Sequence, residues 1–287
     1  MGFALRHSIA WRKKANKFSR NLFGFRDSES AHLRSYRLQA IILAAGKGTR
    51  LKAKTDTMPK AMIEIEGKPL LEYSLDALIE NGLTDVILVV GFRHETITRR
   101  FGTRYHGLKI RYVLNDNYAV SGSMYSLALV KDIIEDEILL MESDLLYESR
   151  AISLLLDGGH PNCILVAGLS GSGDEVYICA NDKQEITELG KNIPGSSKKN
   201  AIGELAGISR FQRKFLELVF SKAQEDFQSG KLNYHYEECV YRTSKQTTPI
   251  HVVANKDLAW IEIDTAEDLQ KAQELIYPLI QAKSQQE

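Results

Sequence analysis

The chain has 287 residues with 37 basic and 37 acidic side chains, so its formal net charge is zero. Nine Lys or Arg and two Asp or Glu fall in residues 1–37, which gives +7, and the remaining 250 residues carry 28 basic and 35 acidic side chains, which gives −7. Such an acidic body argues against a nucleic-acid-binding protein. The three cysteines have no C-x-x-C spacing, which suggests neither a zinc site nor a disulfide framework and suits a reducing cytoplasm.

Residues 1–37 form a separate basic N-terminal segment. Aromatic and aliphatic side chains are interleaved with Lys and Arg, and no uninterrupted apolar stretch follows the first charges. This pattern predicts neither a secretory signal nor a membrane span. It is compatible with a basic helix on a membrane surface, with an organelle transit peptide and with a flexible extension. We expect a flexible extension, and a single folded domain over residues 38–287.

From residue 38 the chain alternates buried strands with helices. Continuous apolar runs predict strands at residues 38–45, 85–91, 109–114 and 137–143. Helices are predicted at residues 69–81 and 121–134. Continuous apolar strands separated by helices indicate an α/β fold with a mostly parallel sheet that is covered on both faces. Its binding crevice is expected at the carboxyl ends of the strands, where Gly46, Gly91 and Asp144 fall.

The second half of the chain has shorter elements. Strands are predicted at residues 164–169, 175–180 and 185–189, separated by Gly-Ser-Gly and Asn-Asp turns, as in a small β-hairpin insertion. Residues 201–211 are expected to return to the main sheet. The remaining predictions are helices at residues 213–229, 234–243 and 265–277 and strands at residues 250–254 and 260–263.

A glycine-rich turn follows the first strand in the stretch LQAIILAAGKGTRLKAKTDTMPKAM, residues 38–62. It is neither a P-loop nor a dinucleotide fingerprint, because Ile41 and Leu51 stand where those motifs require a glycine. Gly46 and Gly48 allow backbone N–H groups to approach an anion, and the basic side chains of the same stretch add positive charge.

The complete L-A-A-G-x-G-x-R-L pattern, with P-K ten residues later, resembles the nucleotidyltransferase family that joins nucleoside triphosphates to phosphorylated sugars and alcohols. The resemblance extends from about Leu38 to the last helix and implies a Rossmann-like sheet with a β-hairpin insertion. It implies that Lys60 and Arg50 are catalytic and face the phosphates of the nucleotide. The nucleotide-binding residues that we infer from it are Leu43, Ala44, Ala45, Gly46, Gly48, Gly91, Ser121 and Ser123.

Three carboxylates are candidate ligands of Mg²⁺. Asp144 follows a buried strand, and strand alternation places Glu262 and Asp264 on one face, where two adjacent carboxylates require a cation or water. The resemblance implies a metal-binding aspartate at the first position and a metal-binding E-I-D triplet at the second. The alternative is that Asp144 and Asp264 are helix N-caps and that Glu262 is solvated.

The frame N-D-x-Y…Y-S-L within residues 115–127 resembles the family branch of cytidylyltransferases that act on phosphocholine and 2-aminoethylphosphonate. This branch implies CTP as the nucleotide and Lys191 as a contact of the acceptor phosphate. Asp174, Glu175 and Tyr177 are candidate contacts of the acceptor, because acids suit a primary ammonium better than a methylated one. A hairpin turn and a solvated turn lysine are the alternatives.

The predicted function is therefore Mg²⁺-dependent transfer of CMP from CTP to a small phosphate or phosphonate, with release of pyrophosphate. A phosphate monoester has a second pKa near ~6, so the attacking oxygen needs no general base. One alternative is a hexose-1-phosphate nucleotidyltransferase. Another is a non-catalytic regulatory subunit with the same fold, which the joint presence of Arg50, Lys60, Asp144, Glu262 and Asp264 argues against.

Overall fold

The computed structural model describes residues 38–48, 50–51 and 57–285 of the chain. The basic N-terminal segment lies outside the described residues, so its expected flexibility and the domain boundary after residue 37 stay predictions. Among the described residues, no helix is both long enough and apolar enough to cross a bilayer.

The described chain alternates strands and helices, with a short 3₁₀ turn at Lys60–Met62. The strands are β1 Leu38–Ala44, β2 Glu64–Ile65, β3 Lys68–Pro69, β4 Asp85–Val90, β5 Arg104–Tyr105, β6 Leu108–Leu114, β7 Glu137–Glu142, β8 Leu145–Tyr147, β9 Cys163–Ala167, β10 Tyr177–Ala180, β11 Ile186–Gly190, β12 Gly203–Gln212, β13 His251–Asn255 and β14 Trp260–Glu262. The helices are α1 Leu70–Glu80, α2 His94–Phe101, α3 Ser123–Ala128, α4 Arg150–Asp157, α5 Gly195–Lys199, α6 Arg213–Gln228, α7 Tyr236–Ser244, α8 Ala266–Lys271 and α9 Tyr277–Ser284.

The main sheet has the strand order β11-β10-β12-β7-β1-β4-β6-β5, and β9 pairs with both β12 and β13. The four strands β7, β1, β4 and β6 are parallel, whereas β12 runs antiparallel to β7. Their apolar runs have the lengths that the sequence predicts, because a strand covered on both faces needs apolar side chains on both. The predicted α/β fold with a mostly parallel sheet is confirmed.

The sheet separates two hydrophobic cores. Ile42 of β1 belongs to the core that contains apolar side chains of α1, α2 and α4. Its neighbour Ile41 points to the opposite face, into the core that contains side chains of α3, α6 and α7. A third cluster joins β14 and the two last helices to Ile63 and Leu70. These layers fix the carboxyl ends of β1, β6 and β7 at one edge of the sheet.

Several predicted elements differ from the structure. The helix predicted at residues 121–134 is α-helical only over Ser123–Ala128. The next residues form tight turns, because Val130 N donates to Leu127 O at 3.2 Å, and the ladder of α-helical bonds ends there. The last helix is longer than predicted, since a π-helical segment at Ala272–Ile276 connects α8 to α9. The helices α2 and α4 and the strand β8 were not predicted.

An extended segment before α7 crosses to the start of α3 and forms one wall of the crevice. Gly122 N donates to Leu232 O at 3.0 Å, and Met124 N donates to Tyr234 O at 3.3 Å. A Cβ atom on Gly122 would lie 2.1 Å from Tyr234 O, which is far inside contact distance. The absence of a side chain at this position therefore lets the two segments pair.

We expect Gly122→Ala to destabilise the protein, because the new methyl group meets backbone that cannot rotate away. Overpacking of this kind costs about 1–3 kcal/mol in the free energy of unfolding. Urea denaturation measures it, with Gly46→Ala as the matched control, since a Cβ on Gly46 meets nothing within 4 Å. Equal midpoints for the two variants would contradict the proposed packing constraint.

Candidate active site

A cavity of about 350 Å³ lies where β1, β6 and β7 end. Side chains and backbone from both halves of the chain line it. Twelve of the predicted site residues are among them: Leu43, Ala45, Gly46, Gly48, Arg50, Lys60, Ser121, Ser123, Asp144, Lys191, Glu262 and Asp264.

The glycine turn after β1 forms the open side of this cavity. Gly46 is exposed with free space around it, whereas Gly48 has a positive φ of 68° and lies against Lys60. A Cβ on Gly48 would be 2.9 Å from Lys60 Cβ, so only glycine lets the turn pass so close to the lysine. Ala44 packs into a core, and Gly91 packs against the Ala45 carbonyl. Ala44 and Gly91 therefore support the turn without lining the cavity.

Lys60 is buried between two carboxylates. Its Nζ atom lies 2.5 Å from Asp144 Oδ2 and 2.5 Å from Asp264 Oδ1. Burial acts to lower the pKa of Lys60, but the charges of Asp144, Asp264 and Glu262 outweigh it and hold the pKa above its ordinary value. Lys60 is therefore a fixed cation at the carboxyl edge of the sheet at neutral pH.

A trio of carboxylates next to this lysine can hold a metal ion. Glu142, Asp144 and Glu262 each offer an oxygen, and these oxygens lie within 4.8 Å of one another. Burial, together with the charges of Asp144 and Asp264, raises the pKa of Glu262 to about 8. Burial and the neighbouring carboxylates likewise raise the pKa of Glu142. Hard oxygen ligands that repel one another fit Mg²⁺, and the metal-ligand roles stay predictions.

The capping alternatives for the two aspartates are not realised in the structure. Asp144 precedes strand β8 rather than a helix. Helix α8 has Thr265 as its N-cap, with a capping box in which Thr265 Oγ1 accepts from Asp268 N and Asp268 accepts from Thr265 N. The carboxylate of Asp264 is thus available for the cations of the site, and it contacts both Lys60 and Arg50.

Arg50, Asp174 and Lys191 form a row of ion pairs at the rim of the cavity. Arg50 Nη2 lies 2.7 Å from Asp264 Oδ2, and Arg50 Nη1 lies 2.6 Å from Asp174 Oδ2. The other oxygen of Asp174 lies 2.8 Å from Lys191 Nζ. Asp174 therefore contacts cations of the protein itself.

The other predicted acceptor contacts lie beside the main cavity. Glu175 accepts from Gly173 N at 3.2 Å and from the Tyr177 hydroxyl at 3.1 Å. Lys198 Nζ lies over the Tyr177 ring, 4.6 Å from its centroid. Asp174 and Glu175 line an adjacent cavity of about 190 Å³, and Tyr177 lines neither cavity. Of the predicted acceptor contacts, the structure brings only Lys191 into the main cavity.

The serines of the N-D-x-Y…Y-S-L frame are held by Asn115 and by the start of α7. Asn115 is buried, and its Nδ2 atom donates to Ser121 Oγ at 3.1 Å and to Ser126 Oγ at 3.0 Å. Ser123 Oγ accepts from Tyr236 N at 2.9 Å. Helix α3 begins after Gly122 without a side-chain cap, so capping by either serine is not observed. Asn115 and the three serines all line the cavity.

Sequence reasoning missed a second row of polar side chains in the cavity. Asn233, His235 and Glu237 line it, whereas Tyr234 and Tyr236 between them are buried in a core. A helix was predicted from residue 234, but α7 begins at Tyr236 and the chain before it is extended. The alternation of polar and aromatic residues in N-Y-H-Y-E was the signal that could have identified it.

Glu237 stands out in this row because its Oε2 atom is buried without a hydrogen-bond partner. Burial raises its pKa, while His235, a backbone hydrogen bond and Lys191 act in the opposite direction. A buried carboxylate oxygen without a partner carries a desolvation cost, which a cationic ligand group that reaches Glu237 would remove.

We expect Lys60→Ala to fold but to be less stable than the wild type, because Asp144 and Asp264 then face each other without their buried cation. Removing one partner of such a pair costs about 3 kcal/mol. Thermal unfolding in the presence of EDTA measures the loss, with the exposed Lys131→Ala as control. Equal midpoints for both variants would show that the ion pairs contribute nothing to stability.

Part of the chain matches a known protein family. Residues 39–157 match the family model described as Nucleotidyl transferase. A choline-phosphate cytidylyltransferase of Streptococcus pneumoniae is 27% identical over 239 residues, which are 83% of this chain and 98% of that protein. A CMP-5'-(3-aminopropyl)phosphonate synthase of Streptomyces rubellomurinus is 25% identical over 82% of this chain and 38% of that protein.

Two further similarities concern part of the chain and the fold. A UTP–glucose-1-phosphate uridylyltransferase of Haloferax volcanii is 36% identical over 113 residues, which are 39% of this chain and 46% of that protein. The solved structure of the inositol-1-phosphate CTP transferase from T. maritima matches with a TM-score of 0.70 at 22% identity. The match covers 86% of this chain and 95% of that one, and it supports the fold described above.

Proposed function

We propose that this chain, a nucleotidyltransferase by the domain that its residues 39–157 form, transfers CMP from CTP to a small amine-bearing phosphate or phosphonate and releases pyrophosphate. The observation that carries the proposal is the convergence of the glycine turn, two cations and a carboxylate trio in one cavity. We place the protein in the cytoplasm, because its three cysteines are free and buried, as is usual in a reducing compartment.

The positive groups of the cavity suit a triphosphate. Gly46 leaves the turn open to the approach of an anion, and Arg50 and Lys60 supply two fixed charges beside it. Charge that develops on departing pyrophosphate is stabilised best by cations that are already in place. Lys60 meets this requirement because two carboxylates fix its ammonium group before any substrate binds.

The reaction needs no general base. An acceptor phosphate has a second pKa near ~6 and is largely ionised at neutral pH, so its oxygen can attack the α-phosphorus directly. The obstacle is the repulsion between two anionic reactants. Arg50 and Lys191, which both contact Asp174, would reduce it by binding the two reactants next to each other at the cavity rim.

Glu142, Asp144 and Glu262 are the residues that we expect to hold Mg²⁺, because their oxygens converge and their mutual repulsion calls for a cation. When bound, Mg²⁺ neutralises phosphate charge and orients the triphosphate for in-line displacement. Asp264, also predicted as a ligand, already contacts Lys60 and Arg50, and in this proposal its main role is to fix these two cations.

For the acceptor we propose a zwitterion with a phosphate or phosphonate at one end and an ammonium group at the other. Lys191 and Glu237 both line the cavity, and they offer the two opposite charges that such a molecule needs. A methylated ammonium is held by aromatic faces, and the face of Tyr177 is already covered by Lys198. The relatives that act on choline phosphate or bear an aminopropylphosphonate name support this acceptor class and CTP.

The test is a screen of four nucleoside triphosphates against phosphoethanolamine, 2-aminoethylphosphonate, phosphocholine, glycerol phosphate and glucose 1-phosphate, read by pyrophosphate release. CTP with an amine-bearing acceptor should be fastest. Glu237→Gln should lower kcat/KM about tenfold or more for amine-bearing acceptors and leave glycerol phosphate nearly unaffected, since a hydrogen bond to a charged group contributes about 1.5–3 kcal/mol. Glu238→Gln, an exposed neighbour, is the matched control.

A sugar-1-phosphate nucleotidyltransferase is the second candidate, favoured by the similarity of 113 residues of the chain to the uridylyltransferase. Turnover of glucose 1-phosphate with UTP, and no effect of Glu237→Gln, would establish it in place of the amine-bearing acceptor. A regulatory protein without activity would release no pyrophosphate with any pair.

We also expect Asp144→Asn and Asp264→Asn each to reduce Mg²⁺-dependent turnover by more than a hundredfold. Asparagine keeps the shape of the side chain and removes the charge that holds Lys60 or the cation. Turnover and thermal midpoint are measured for both variants, with the exposed Asp182→Asn as control. Normal turnover in both variants would refute their assignment, and a parallel collapse of stability would point to a structural role.

A further inference from the structure

One carboxylate, that of Asp174, joins three loops at the mouth of the cavity. Its two oxygens bind separate cations, Arg50 at 2.6 Å and Lys191 at 2.8 Å. Arg50 follows the glycine turn after β1, Lys191 follows β11, and Asp174 lies in the loop between β9 and β10. The bridge therefore connects the nucleotide side of the cavity to its acceptor side.

This bridge is not required for folding. The side chains of Arg50, Asp174 and Lys191 are 54%, 37% and 38% exposed, so water can solvate all three charges. Exposed ion pairs typically contribute little to stability. The stability of the fold therefore does not explain why two cations from distant loops contact one carboxylate.

The chemistry of the bridge matches that of a substrate phosphate. A carboxylate presents two oxygens and a negative charge, as a phosphate does towards two neighbouring donors. Arg50 and Lys191 are the cations that the proposed function assigns to the nucleotide and to the acceptor. Burial acts to raise the pKa of Asp174, but Lys191 and Arg50 outweigh it and hold the pKa below its ordinary value, so the group is an anion at neutral pH.

We propose that Asp174 is an internal anion that holds Arg50 and Lys191 in position in the substrate-free protein and is displaced by substrate phosphate oxygens. The inference rests on the proposed function and replaces the predicted contact of Asp174 with the acceptor ammonium. Asp174 is a positioning residue in this role, because it acts through the two cations and lines only the adjacent cavity.

This role has two opposite consequences for binding and turnover. Asp174 competes with phosphate for the same N–H donors, so its charge weakens the binding of anions. It also keeps the two donors close together, so its loss leaves them less well placed for the transfer step. Removal of the charge should therefore lower KM for CTP and lower kcat as well, a combination that a general loss of structure does not produce.

The experiment uses Asp174→Asn, which keeps the side-chain shape and removes the charge. The probe is inorganic pyrophosphate, titrated into the full-length protein by calorimetry at 50 mM and 500 mM salt. We expect about three- to tenfold tighter binding than in the wild type at low salt, the size expected for release of two exposed ion pairs. The difference should shrink at high salt, because exposed charges are screened.

Two further variants separate the role of the bridge from other effects. Asp182→Asn, an exposed aspartate in the β10–β11 turn, should bind pyrophosphate as the wild type does. In a Lys191→Ala background, Asp174→Asn should have a smaller effect, because only the contact with Arg50 is left to release. Thermal midpoints within about 2 °C of each other for Asp174→Asn and the wild type are expected, as for an exposed position.

Pyrophosphate binding that is equal to or weaker than the wild type's in Asp174→Asn would overturn the proposal. So would a loss of turnover confined to amine-bearing acceptors, since that pattern places Asp174 against the ammonium group. Failure of the proposed function has a different signature, namely a wild type that binds pyrophosphate but releases none from any nucleoside triphosphate.

Discussion

The site depends on how four carboxylates are held together at one edge of the sheet. Glu142, Asp144, Glu262 and Asp264 lie close enough to repel one another, and the buried ammonium of Lys60 compensates two of them. Unpaired charges of this kind are costly in a partly buried place. The architecture around the lysine follows from this requirement, including a glycine at the point where the turn passes over it.

Lys60 compensates only part of this negative charge, and the carboxylates that are left without compensation determine what the cavity can bind. Among the described residues, neither Glu142 nor Glu262 forms an ion pair with a Lys or Arg, and both have raised pKa values because of burial and neighbouring charge. An arrangement that is unfavourable when empty is favourable for a divalent cation with a bound polyphosphate. Under the proposed function, the binding of substrate and its cation would offset much of the electrostatic cost of the site.

The sequence predicted the parts of this arrangement that depend on local pattern. The apolar runs identified the parallel strands, and the glycine turn, Lys60 and Asp144 stand at positions that strand ends bring together. Glu142 escaped notice because one acid at the end of an apolar run reads as an ordinary strand residue. Glu237 escaped because its flanking tyrosines were assigned to a helix. The partners of Asp174 could not be predicted, since a pair such as Arg50 and Asp174 is separated by 124 residues.

The residues of the site are divided unevenly between the two halves of the chain. The residues that match the family model, 39–157, contain the glycine turn, Lys60 and Asp144. Two other residues of the cavity lie beyond that region, Lys191 in the loop after β11 and Glu237 in the first turn of α7. Under the proposed function, substitutions near Lys191 and Glu237 would alter which acceptor is used while the residues around Lys60 stay the same. Descendants of one ancestral enzyme would then diverge in acceptor and keep a common triphosphate chemistry, with the constraint on change falling on the glycine turn, on Lys60 and on its carboxylate partners Asp144 and Asp264.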